Sequence, residues 1–178
     1  GEILSSISHY YYTKSSIFFT SILTAFGLFL VSYKGYEKDK EKERFSDNLI
    51  TNIGGIAAMI VVILPTSASG SSSPEINLMS MTNTYPLFGH NNPVINSIHL
   101  ISAGIFLFIM GWMSYFRFSR TTNSGKKHIY KSAGIIIWSS ILILGIEFIF
   151  EFDITQYDVF ILETVSVFSF GISWLIKG

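Results

Sequence analysis

Residues 97–116 read SIHLISAGIFLFIMGWMSYF, twenty positions with no Asp, Glu, Lys or Arg. A helix needs roughly 20 mostly apolar residues to cross about 30 Å of hydrocarbon, so this stretch predicts a transmembrane helix. Four others are similar: 16–33 (SIFFTSILTAFGLFLVSY), 49–65 (LITNIGGIAAMIVVILP), 129–150 and 158–176. All five are apolar around the whole helix circumference, as buried or lipid-facing helices are. The fold class expected is therefore all-α, a polytopic transmembrane bundle forming a single domain over 1–178, with five spans in this chain.

Composition agrees. Of 178 residues, 13% are charged and 49% hydrophobic, and mean hydropathy is +0.45. Soluble domains carry about 25% charge. Twelve basic residues balance twelve acidic ones, which removes the basic footprint that nucleic-acid binding requires. The absence of cysteine excludes disulfides, thiolate metal sites and a cysteine nucleophile.

The connections set the orientation. Residues 34–44 alternate acids and bases and read as a solvated turn or helix extension. Residues 66–96 form a long loop rich in Ser, Asn, Pro and Gly, of the kind that is often functional. Eleven of the twelve Lys and Arg residues, including Lys38, Arg117, Lys126 and Lys177, fall in the first and third loops, near the helix ends they join, and at the C-terminus, against Lys14 alone on the other side. The positive-inside rule puts those loops and the C-terminus in the cytoplasm and 66–96 outside, in a plasma (bacterial inner) membrane. The segment before the first helix is then also external, so a further helix or a removed signal peptide is expected upstream of Gly1.

Ionisable residues inside membrane helices are costly and point to function. Glu147 and Glu163 each lie roughly 5–8 Å inside the external boundary at 1.5 Å rise per residue, on helices joined by a short loop. Facing the bundle, they would form one polar site; alternatively Glu147 reaches the interface beside Glu151. His99 begins the 97–116 helix, and His9 and His90 fall on the same side. Imidazoles beside carboxylates suit proton transfer or zinc, although no HxxxH or HExxH spacing is present. Each histidine has a plainer reading as an interfacial hydrogen-bonding residue.

Tyr10, Tyr11 and Tyr12 read first as an aromatic belt at the head-group level, and second as the wall of a lipid-binding cleft. Asn52 is expected to hydrogen-bond to a neighbouring helix, and Gly54, Gly55, Ala57 and Ala58 to form a small-residue packing face. Pro65 explains where the second helix stops. Walker A, GxGxxG, GxSxG and EF-hand patterns are absent. The run Ser69–Ser73 reads as a flexible linker.

The segments SISHYYYT, FLVSYKGY, ILPT, HLISAGIFLF, KKHIYKSAGI and ETVSVFSFGISWLIKG resemble a group of small uncharacterised bacterial multi-pass membrane proteins. That resemblance covers nearly the whole chain and implies a six-helix protein whose first helix lies upstream of Gly1. More distantly the pattern is similar to the DRAM family and to ceramidase-like membrane hydrolases. The latter hold zinc through His and Asp, and this chain lacks their paired His on a late helix.

The leading expectation is an outward-facing polar pocket of His99, Glu147 and Glu163, roofed by 66–96 and Tyr10–Tyr12, that binds a lipid head group or small amphiphile. An enzyme is the opposing class, with zinc held by His9, His90 or His99 and a carboxylate and acting on a lipid amide or ester. A homo-oligomeric channel or membrane effector is the third, disfavoured because no helix carries a continuous polar stripe.

Overall fold

The computed structural model describes residues 3–33, 35, 45–121 and 123–177. The charged run that includes Lys34, Lys38, Lys40, Lys42 and Arg44, on which much of the orientation count rests, lies outside the described residues. The regular structure is all helical, with no strand among the described residues. A 3-10 turn (Ile7–Tyr12) leads into α1 (Ser16–Ser32), α2 (Asp47–Ile63), α3 (Pro74–Thr82), α4 (Pro93–Trp112), α5 (Ser124–Phe150) and α6 (Asp158–Lys177). A π-helical turn, Met113–Phe118, continues α4.

Three segments are long and apolar enough to cross a membrane: Pro93–Phe118 with 26 residues, Ser124–Phe150 with 27 and Asp158–Lys177 with 20. The apolar helices α1 and α2 have 17 residues each, about 25 Å at 1.5 Å per residue. Large side chains such as Leu175, Phe148 and Phe168 lie exposed on the outer faces, a surface that suits hydrocarbon better than water.

Neighbours follow chain order: α1 packs on α2, α2 on α4, α4 on α5 and α5 on α6. Small residues set the closest of these approaches. A Cβ added at Gly55 would meet the Gly27 carbonyl oxygen at 2.6 Å, and one added at Gly54 would meet Ile109 at 2.8 Å. Two consecutive glycines thus face two different helices, and α2 sits wedged between α1 and α4 with Ala57 and Ala58 buried beside them. The α1–α2 contact is backbone to backbone and the α2–α4 contact seats the Ile109 side chain on glycine, both of the small-residue kind that holds membrane helices together. Asn52, by contrast, makes no interhelical bond: its side-chain oxygen is buried and has no hydrogen-bond partner among the described residues.

The aromatic core lies towards one end of the bundle. Phe118, Phe170 and Trp174 meet there edge-on or tilted, with Phe29 of α1 and Tyr33 at its C-terminal cap set edge-on to Trp174. At this end Arg117 is buried, 2.6 Å from Asp47 at the start of α2 and 4.2 Å above the Trp112 ring. Arg117 is therefore neutralised inside the protein and does not contribute a solvated positive charge to the loop that the orientation count assigned it to.

At the opposite end the segments expected to be loops are folded. The 66–96 connection contains α3, which starts at Pro74, buries Ile76 and ends at Asn83 in the left-handed conformation (φ 51°). Proline at the first helical position and asparagine at the last cap are the local reasons for those limits. Helix α4 starts at Pro93, four residues before the expected Ser97, because the Asn92 side chain accepts from the Val94 and Ile95 N–H groups. Helix α5 likewise starts at Ser124, five residues early, capped by the Asn123 side chain.

Candidate functional site

Helix α2 ends at Ile63 because Pro65 restricts the residue before it, so the carbonyls that follow have no partner within the helix. Side chains from elsewhere supply the donors. His99 Nδ1 lies 2.7 Å from the Leu64 oxygen, His90 Nε2 lies 2.7 Å from the Pro65 oxygen, and the Tyr12 hydroxyl donates to the Thr66 oxygen at 2.5 Å. Three consecutive carbonyls are thus closed by three of the residues singled out as site candidates.

A carbonyl only accepts, so each imidazole carries its proton on the nitrogen that faces it. The His90 Nδ1 lone pair then accepts from the Asn92 N–H at 3.0 Å, and both of its nitrogens are spent on the backbone. The His99 Nε2 lone pair faces the Ser8 hydroxyl at 3.0 Å. His99 is 1% exposed and Ser8 6%.

The 3-10 turn is held onto α6 by Glu163. One carboxylate oxygen, Oε2, accepts both the Ser6 hydroxyl and the Ile7 N–H at 2.8 Å. Ser6 Oγ in turn accepts from the Ser8 N–H, and the Phe160 N–H donates to the Ser5 carbonyl. Asp158, the first residue of α6, accepts from the Ile154 and Thr155 N–H groups of the preceding connection and from the Val159 N–H of the helix.

Between the turn, the 66–72 segment and the start of α6 lies a cavity of about 350 Å³. Hydroxyls of Ser5, Ser6, Ser8, Thr66, Ser71, Ser72 and Thr155, with His9, His99, Gln156 and three carboxylates (Asp153, Asp158, Glu163), line its polar wall. Leu100, Ala103 and Val159 form an apolar strip, and no Lys or Arg lines the cavity. His9 packs with Nδ1 3.1 Å from Ser5 Oγ, and burial pushes its pKa below the usual 6.5 against the pull of the Ser67 and Ser69 carbonyls. Burial also raises the Tyr12 phenol, to about 12.

Of the expected site residues, His99 and Glu163 come together in this cavity and His9 joins them. Glu147, Tyr12 and His90 do not line it. Glu147 is buried in the last turn of α5 with Oε1 lacking a hydrogen-bond partner among the described residues, and its acidic neighbours are Asp158 and Asp153, not Glu163. The aromatic-belt reading of Tyr11 and Tyr12 also gives way. Both are buried in a second core with Leu4, Ala68 and Ile76, and the Tyr11 hydroxyl donates to the Leu87 carbonyl. Tyr10 alone keeps a half-buried position, against Phe160.

Among the described residues no group of three or more His, Asp or Glu side chains is arranged to hold a metal ion. His99 and His90 have both ring nitrogens engaged, so His9, His90 and His99 do not offer zinc a ligand set in this arrangement.

Sequence reasoning missed Ser6, Ser8 and Asp158. The serine–histidine contact spans 91 positions, which no local pattern reveals. No protein-family model matches the chain, and no curated protein or solved structure matches it. Fold and cleft define the class: an all-helical chain with three helices able to cross a membrane and an acidic, hydroxyl-rich cleft at one end of the bundle.

Proposed function

We propose that the chain spans a plasma membrane five times with the cleft facing outward, and that the cleft binds the head group of a lipid or small amphiphile bearing an ammonium or several hydroxyls. The observation that carries this reading is the lining: three carboxylates, seven hydroxyls and no Lys or Arg around about 350 Å³. An anionic head group would meet uncompensated like charge there, whereas an ammonium would be attracted, most strongly where water is excluded. Glu163 is the principal contact. Both bonds it makes to the protein use Oε2, which leaves Oε1 for the ligand. The apolar strip of Leu100, Ala103 and Val159 would accept the first carbons beyond the head group.

The test compares lysophosphatidylcholine with lysophosphatidylglycerol binding to the protein in nanodiscs. About tenfold preference for choline, lost in Glu163→Gln, supports the reading, and equal binding of the two sinks it. Orientation is tested separately: the chain has no cysteine, so Ser72→Cys reports topology directly. It is expected to react with a membrane-impermeant maleimide added outside intact cells.

A further inference from the structure

We propose that Ser8 and His99 form a nucleophile and general-base pair that cleaves an acyl ester of the amphiphile held in the cleft. This rests on the binding reading above and adds a reaction to it.

Three features of the pair carry the inference. The hydroxyl and the imidazole are 3.0 Å apart, within reach for direct proton transfer. The tautomer is the required one: the Leu64 carbonyl holds the proton on Nδ1, so Nε2 presents a lone pair to Ser8. That carbonyl does what an orienting carboxylate does in a serine triad, fixing the ring and stabilising the imidazolium that forms. It is available only because Pro65 ends α2 there and leaves the Leu64 oxygen without a helical partner. Finally, both residues line the cavity, so the pair is not sealed between helices. The other two imidazoles at this end of the bundle lack this combination. His90 is bonded to backbone on both nitrogens and lies outside the cavity lining. The hydroxyl beside His9, on Ser5, is already engaged by the Ser72 N–H and the Gly70 carbonyl.

In the reaction the Ser8 oxygen attacks the ester carbonyl carbon while its proton passes to His99 Nε2. The carbon–oxygen bond to the leaving alcohol breaks, and the alkoxide takes that proton. Water then attacks the acyl-serine, gives a proton to Nε2 and releases the carboxylic acid, and Ser8 recovers its proton. No metal and no redox partner is needed. The Ser71 hydroxyl lines the same cavity, accepts from the Ser73 N–H and has no acceptor for its own proton among the described residues, so it is a donor for the developing oxyanion. Glu163 would oppose negative charge on the substrate, which selects esters whose ammonium neutralises it.

The experiment treats the full chain in nanodiscs with an alkyl fluorophosphonate and maps the adduct by peptide mass spectrometry. Attack by Ser8 forms the oxygen–phosphorus bond and expels fluoride. The expected result is an adduct on Ser8 in wild type, none there in Ser8→Ala, and labelling slowed about 100-fold in His99→Gln, the low end of what a positioned general base contributes. An unlabelled Ser8 in wild type, an adduct confined to another serine, or undiminished labelling in His99→Gln overturns the proposal. The wild-type readout needs no variant to fold. Lysophosphatidylcholine binding is measured on the same sample. Binding without labelling removes the reaction and leaves the cleft reading, whereas labelling of Ser8 without binding removes the cleft reading and keeps the pair.

Discussion

His99 Nδ1 lies 2.7 Å from the carbonyl oxygen of Leu64, and through that bond a residue of α4 closes the end of α2. His90 and Tyr12 close the next two carbonyls in the same way, at Pro65 and Thr66. A proline-terminated helix inside a packed protein creates acceptors that water cannot reach, and this chain meets them with three side chains from two distant segments. The polar cleft is assembled around that cap, which is why the residues that shape it are structural as well as chemical.

Replacing the donor tests the cap. His99→Phe keeps the ring volume and leaves the Leu64 oxygen buried without its partner, a loss of about 1–3 kcal/mol. Scanning fluorimetry in detergent is expected to show a lower melting temperature for His99→Phe than for wild type. Equal melting temperatures would show that the carbonyl finds another donor.

At the other end, Asp47 and Arg117 form a pair with both side chains almost fully buried. Removing one partner of such a pair costs about 3–5 kcal/mol, while replacing both with apolar residues is often neutral. Asp47→Ala is therefore expected to lower stability far more than the double variant Asp47→Ala/Arg117→Met. If the double variant is the worse of the two, the pair itself stabilises the fold.

The apolar stretches were legible because lipid and a helical core impose the same demand over twenty residues, and the structure places a helix on each of them. Helix ends were less so. Ser124 and Pro93 begin their helices a turn or more early because asparagine caps outweigh the polarity of the first turn. Of the site, His99 and Glu163 stood out as ionisable groups inside apolar segments. Their partners did not, since Ser6 and Ser8 are ordinary residues until a turn folds back on α6 and α4. Tyr11 and Tyr12 misled for a related reason: an aromatic run next to a membrane helix fits an interface and a small core equally well, and only the folding of α3 over them decides.

The α1–α2 crossing gives a third prediction. A Cβ at residue 55 would lie 2.6 Å from the Gly27 oxygen and equally close to a Val31 methyl, and neither backbone can withdraw without separating the helices. Gly55→Ala is expected to destabilise by about 1–3 kcal/mol. Gly171→Ala, where an added Cβ meets nothing within 4 Å, serves as the reference and is expected to be close to wild type. Thermal melts of the two side by side check this, and similar losses would rule out close packing as the cause.

Two groups outside the spans set the pH range of the cleft end. Burial depresses the His9 pKa, so the folded state favours the neutral ring. The stability this linkage contributes is fully present above the unfolded value of about 6.5 and is lost as pH falls through the folded value. Tyr12 shifts the other way, to about 12, so its contribution is present below about 10 and is lost as pH rises through 12. Melting temperature is expected to fall as pH is lowered from 7.5 to 5, with a shallower slope in His9→Gln, and absorbance at 295 nm is expected to show late-titrating tyrosines, since burial raises Tyr11 as well, with one fewer in Tyr12→Phe. An unchanged acid slope in His9→Gln would assign the dependence to other groups and detach His9 from the stability of the turn.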